Sequence, residues 1–161
     1  MTGMPVFSGL REALLKTGFP FDFLENRGRL RSAAEGAAYW GIDLGATAPA
    51  LILRAEKHFL LLILSGSSPR VDLEALSMEI AEKGLRMATA AEIQEHFGIR
   101  PGEFPLFCLG LPTLVDRALL THEFVYGGSG DPETTLKVDP RALLALNEGS
   151  QVVEVPCQAG E

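Results

Sequence analysis

The chain has little of what marks a metal, redox or membrane protein. Its 161 residues include two cysteines, Cys108 and Cys157, far apart and in no CxxC pair. Such spacing suits neither a disulfide framework nor a thiolate metal cluster, so reduced thiols in a cytoplasmic setting are expected. The three histidines, His58, His96 and His122, fall in no HxH or HExxH pattern, and no metal site is expected. The most apolar run, "FLLLILSG", is too short to span a bilayer and has the length of a buried strand. The first residues, "MTGMPVFSGLREALLKTGF", lack the unbroken apolar centre of a signal peptide. Positive charge is the minority sign: 14 Lys and Arg against 21 Asp and Glu, a net charge of −7. That balance argues against gripping nucleic acid, DNA included, by bulk electrostatics. A local basic patch remains compatible with it. Repeats and low-complexity linkers are also lacking. One domain is expected over residues 1–156, with a loose tail at 157–161.

What is there alternates between helix and strand signals. Ser8 is placed to cap a helix through "GLREALLKTG", with Leu10, Leu14 and Leu15 on one face and Gly18 as its stop. "PFDFLE" reads as a strand. Ser32 and Glu35 form a capping-box pattern before the Ala-rich "AAEGAAYWG", whose small side chains suggest close packing on a sheet. "ALILR" and "HFLLLIL" flank Ala55-Glu56-Lys57 as an antiparallel hairpin. The second run is apolar on both faces and predicts a central strand. Asp72 caps "LEALSMEIAEKG", and "LRMA" is a short strand. Thr89 with Glu92 makes a second capping box, for "AAEIQEHFG". "PTLVDRAL", "HEFVYGG" and "TTLKV" predict strands, Asp139-Pro140 starts the helix "RALLALNEG", and "QVVEV" is a last strand. The sum is an α+β domain with a curved mixed β-sheet flanked by helices.

One stretch resists this scheme. "RPGEFPLFCLG", Arg100 to Gly110, puts two phenylalanines and a cysteine among prolines and glycines that forbid a regular helix or central strand. Such a loop either lines a pocket or plugs a core. Asp116 in "LVDRAL" suits a role anchoring a turn through backbone N–H groups. The glycines of "GGSGDP" suit a tight turn, or a cradle of backbone amides for an anion or a ribose. Cys108 lacks a neighbouring base in sequence and reads as an inert buried thiol. His58 and His122 read as edge or surface residues.

The order of five pieces, "PRVDLEAL", "LRMATAAEI", "FGIRPGEFPLF", "LPTLVDRALL" and "YGGSGDPETTLKVDPRALL", resembles the YbaK/EbsC family over roughly residues 30 to 147. That family comprises aminoacyl-tRNA deacylases, including the insertion domain of prolyl-tRNA synthetase and its free-standing relatives. The resemblance implies a YbaK-like fold. It implies hydrolysis, with no metal or cofactor, of the ester joining a small amino acid to a mischarged tRNA. The implied partners are the aminoacyl-tRNA acceptor end and a synthetase, with no membrane. The implied substrate pocket comprises Pro49, Pro101, Gly102, Phe104, Pro105, Leu106, Phe107, Asp116, Gly128, Gly130 and Asp131. An ester is intrinsically labile, so positioning and a few donors supply much of the acceleration.

The chain departs from the family pattern at two places. A lysine that usually orients the substrate stands in a segment like "AKTLVVR"; here the segment is "APALILR", and the lysine position is Pro49. Proline brings neither charge nor an N–H. In the loop, Leu106 replaces a proline and Cys108 a glycine. The catalytic residue is therefore unassigned, and activity is altered or lost relative to the family. Arg54 and Lys57 are candidate replacement cations, although strand alternation turns Arg54 away from Pro49. Arg27, Arg29 and Arg31 recur at every second residue as a candidate tRNA patch. The alternative is a non-catalytic domain on the same fold that binds a small molecule, an RNA end or a protein.

Overall fold

The computed structural model describes residues 9–26, 28, 30, 32–68, 70–99, 104–107 and 110–157. Helix α1 (Leu10–Thr17) leads into strand β1 (Phe21–Glu25), helix α2 (Ala33–Trp40), a 3-10 turn (Leu44–Ala46) and strand β2 (Thr47–Ala48). The hairpin β3 (Ala50–Arg54) and β4 (Phe59–Ile63) follows, then α3 (Leu73–Ile80), β5 (Arg86–Met87) and α4 (Ala90–Phe97). Strand β6 (Thr113–Asp116), a 3-10 turn (Arg117–Thr121), β7 (Val125–Gly128), β8 (Thr134–Val138), α5 (Pro140–Leu146) and β9 (Gln151–Val153) complete the described chain.

The expected α+β architecture with mixed strands is present, with the strands divided between two sheets rather than gathered in one. The first runs β1-β8-β7-β2, antiparallel except for the parallel pair β2/β7. The second runs β5-β3-β4-β6-β9, with β4/β6 and β6/β9 parallel. Strand β4 lies at the centre of the second sheet, and its alternation explains its composition. Leu61 and Ile63 enter the larger core, with Ile52, Val115, Leu136, Val138 and Leu143. Leu60 and Leu62 enter a second core with Leu76 of α3. Every residue of β4 is buried on one side or the other, so no polar position was available.

Several local signals act as read. Ser32 Oγ accepts from the Glu35 N–H at 3.0 Å. Asp72 Oδ1 accepts from Ala75 N–H at 3.1 Å. Thr89 and Glu92 form the reciprocal capping box. Gly18, Gly41 and Gly98 close their helices in the left-handed region, where only glycine sits without penalty. Two readings change. Gly9 stands at the N-cap of α1, with no side-chain cap hydrogen bond; Ser8 lies outside the described residues. Helix α3 ends at Ile80, four residues before Gly84, because Ala81 turns left-handed at φ 59°. Of the expected loose tail, Cys157 bridges Val71 and the Pro156 carbonyl accepts from Asp72 N–H at 2.8 Å; residues 158–161 lie outside the described chain.

Candidate functional site

Pairing fixes which side chains share a face of the first sheet. Val125 stands opposite Val138, and both are fully buried in the larger core. By alternation Tyr126, Gly128, Thr135 and Lys137 turn to the other face. Helix α2 lies over that face through β2, and its small residues Ala33 and Gly36 leave room beneath it. The result is a cavity of about 210 Å³. It is walled by Ala33, Gly36 and Trp40 from α2, Thr47 to Leu51 from β2 and β3, Tyr126 to Gly128 from β7, and Thr134 and Thr135 from β8. Asn26, Leu30, Phe104 and Asp131 close it. The space is enough for a small organic group.

The polar wall is largely tied to itself. Asn26 Nδ2 donates to the carbonyls of Gly28 and of Pro132, the latter at 3.1 Å. Its Oδ1 accepts from Thr135 Oγ1 at 2.9 Å. Asp131 caps its own turn, accepting from Glu133 N–H at 2.9 Å and from Thr134 Oγ1 at 3.2 Å. The Pro49 carbonyl accepts from Leu64 N–H at 2.9 Å. Trp40 packs on Tyr126, ring centroids 6.2 Å apart, and its indole N–H is buried with no acceptor among the described residues. Tyr126 presents a phenol that is not paired within the described residues. Among the described lining residues Asp131 is the one acidic side chain, and there is no cation, imidazole or thiol.

The residues expected at a pocket divide into three groups. Pro49, Phe104, Gly128 and Asp131 meet at the cavity. Pro101 and Gly102, with Cys108, lie outside the described residues. The remainder stand behind the wall. Leu106 is fully buried in the larger core, and its carbonyl accepts from Asn147 Nδ2 at 3.0 Å. Phe107 packs on the same core. Pro105 backs the Gly130 turn, 3.8 Å from where a Cβ on Gly130 would stand. Asp116, 3% exposed, is an anchor: it accepts from Ser65 N–H at 2.9 Å, Ser68 Oγ at 2.9 Å and Ala118 N–H at 3.0 Å.

The apolar loop thus does both things its composition allows. Leu106 plugs the core while Phe104, edge-on to Phe97 at 5.1 Å, presents one side to the cavity. The loop rides directly on β7. A Cβ on Gly127 would stand 2.7 Å from Leu106 Cδ1, and one on Gly128 would stand 2.3 Å from the Phe104 carbonyl oxygen. These two positions are glycine because the Leu106 side chain and the Ala48 carbonyl, and at Gly128 the Phe104 backbone, stand where a side chain would be.

Neither replacement cation reaches the cavity wall. Arg54 lies over the Phe59 ring at 4.6 Å, and Lys57 sits exposed in the hairpin turn. His58 pairs with Glu82 at 3.1 Å, and neither it nor His122 lines the cavity. Arg27, Arg29 and Arg31 lie outside the described residues. Asn26, Trp40, Tyr126 and Thr135 were not singled out in the sequence. The twin glycine after Tyr126 and the small residues of "AAEGAAYW" were the available signals.

The Aminoacyl-tRNA editing domain family matches residues 28–146. The chain belongs to that family. Its match takes in α2, both strands after it, the apolar loop and the glycine turn, so every described wall residue except Asn26 falls within it. Among solved structures, a candidate trans-editing enzyme for prolyl tRNA synthetase is 29% identical at a TM-score of 0.79, covering 96% of this chain and 99% of that one. A scaffold protein used for computational epitope grafting is 27% identical at 0.78, covering 94% and 97%. The hypothetical protein APE2540, 24% identical at 0.80 over 90% and 97%, shares the fold. No curated protein matches the chain. The YbaK-like fold expected from the sequence is the fold observed. None of the described helices is long and apolar enough to cross a membrane, and the described residues hold no cluster of metal-ligating side chains.

Proposed function

We propose that this editing domain hydrolyses the ester of tRNA mischarged with a small amino acid, with the aminoacyl group held in the cavity beneath α2. The observation that carries the reading is the 210 Å³ cavity, which gathers Pro49, Phe104, Gly128 and Asp131 from separated parts of an editing-family chain. Its size admits a small side chain, and discrimination against a larger one would rest on steric exclusion at the wall. Acceleration comes from holding a labile ester against fixed dipoles. Tyr126 offers a hydroxyl, and the 128–131 turn offers backbone. Arg27, Arg29 and Arg31 alternate in sequence with the wall residues Asn26, Leu30 and Ser32, and they are the proposed patch for the acceptor arm. The same site would serve a synthetase-associated or free-standing editing role in the cytoplasm.

Pro49 sets the rate. Without an ammonium there, turnover is slower than in relatives with lysine, and Pro49→Lys is expected to raise it about tenfold, the worth of one charged contact. The lack of any cation among the described lining residues favours one other reading, a binding domain that keeps the pocket without the chemistry. Amino acid release from a panel of tRNAs mischarged with small residues separates the two. Release above the spontaneous rate by the natural chain supports the deacylase. No release on any member, with tight binding of the same tRNAs, supports the binding domain.

A further inference from the structure

With no cation in the described cavity wall, the charge that meets the RNA must come from outside it. Four of the described cations are committed elsewhere. Arg86 is bidentate to Glu92, and Arg141 is paired with Asp139 at 2.6 Å. Arg54 covers Phe59 at the far end of the hairpin, and Arg11 covers Phe23 in a cleft shared with Glu25 and Asp131. Lys137 is different. It stands on β8 directly opposite Tyr126 and two residues beyond Thr135, and both of those line the cavity. All three share the sheet face that α2 covers. Its ammonium lies 4.7 Å from the Phe124 ring centroid and 6.0 Å from that of Tyr126. It is half-buried; Asp22 stands opposite it on β1, and no described carboxylate pairs with it within ion-pair distance.

The rims of the cavity differ in net charge: Lys137 has the single acid Asp22 as its cross-strand neighbour, whereas Asp131, Glu133 and Glu25 outnumber Arg11 at the glycine turn. At the glycine turn a strand leaving the cavity meets Asp131, with Glu133 and Glu25 beside it. Over Tyr126 it meets Lys137. The acid excess is smaller on the second route, which therefore favours a polyanion. Resting on the deacylase reading of the cavity, we propose that Lys137 is a positioning residue for the RNA. Its ammonium takes the phosphodiester next to the aminoacylated ribose, with Tyr126 between that phosphate and the cavity. Held across two rings, the side chain is already ordered and loses little freedom on contact.

The test compares the natural chain, Lys137→Gln and Lys137→Arg on mischarged tRNA and on the matching 3′-O-aminoacyl adenosine, which has no phosphate. Lys137→Gln is expected to lose about tenfold in kcat/KM on tRNA, through KM, and nothing on the adenosine ester; Lys137→Arg restores most of the loss. A direct measurement accompanies it: binding of a CCA-ended RNA hairpin across a salt series. The variant's slope of log K against log salt should shrink by about 0.7–1, one phosphate contact. Equal loss on both substrates, or an unchanged hairpin affinity and slope, overturns the role of Lys137. Failure of the natural chain on both substrates overturns the deacylase reading instead, and the hairpin series still decides the contact.

Discussion

Asp116 accepts three hydrogen bonds from two separate segments while almost wholly buried. Truncation strands the N–H groups of Ser65 and Ala118 inside the fold. Asp116→Ala is expected to destabilise the protein by about 3 kcal/mol in urea titration, within the range for buried charged hydrogen bonds. A loss under 1 kcal/mol would mean that water replaces the carboxylate. Gly128 carries a different constraint. Its backbone angle suits any residue, but the Phe104 carbonyl oxygen occupies the side-chain position at 2.3 Å. Gly128→Ala must push the apolar loop off β7, at about 1–3 kcal/mol. The cavity wall at Phe104 moves with it, so mischarged-tRNA turnover is expected to fall further than stability alone explains.

At the scale of elements, α2 is both roof and lever. Gly36 sits in its interior, and a Cβ there would meet Leu30 Cδ1 at an ordinary 3.9 Å. Gly36→Ala is expected to stabilise the protein by about 0.5–1 kcal/mol, because alanine loses less backbone freedom than glycine in a helix. The same methyl narrows the cavity, so selectivity should move toward the smallest aminoacyl groups. Helix α4 supplies a pH-dependent element. Hydrogen bonds from Arg86, and then from the Thr89 N–H, hold the Glu92 carboxyl at about 2, below its ordinary 4.5. A depressed carboxylate favours the folded state above its unfolded pKa, and the contribution fades as pH falls from 4.5 toward 2. Glu92→Gln should therefore lower the denaturation midpoint at pH 6, with the gap closing through that window. Equal midpoints at pH 6 would contradict this.

These elements show what a sequence discloses. Ser32, Asp72, Thr89 and Asp139 were legible because a cap is a local event, decided within four residues. The two-faced burial of β4 was legible because its period shows in composition. Strand β2 was not: it is two residues long and exists only because Tyr126 and Gly127 pair with it in parallel. The same holds for the site. Phe104 and the glycine turn were visible as oddities, and Pro49 as a departure. Asn26 and Thr135 become site residues only when β1 and β8 meet, 109 residues apart in sequence at their hydrogen bond. Leu106 and Asp116 were grouped with the pocket by the family resemblance; core burial of Leu106 and the hydrogen bonds of Asp116 put them behind it.

For the whole molecule, a net charge of −7 and a tRNA substrate are compatible only if charge is arranged rather than summed. Lys137 would supply positive charge on one side of the cavity, against Asp131, Glu133 and Glu25 on the other. Affinity for tRNA should then fall steeply with salt despite the acidic composition. The most direct test of the account is single-turnover release of amino acid from tRNAs mischarged with small residues, run with the natural chain and Pro49→Lys. Release above the spontaneous rate by the natural chain on at least one small aminoacyl group, raised about tenfold in Pro49→Lys, is the expected result. Spontaneous rates for both proteins across the panel would contradict it.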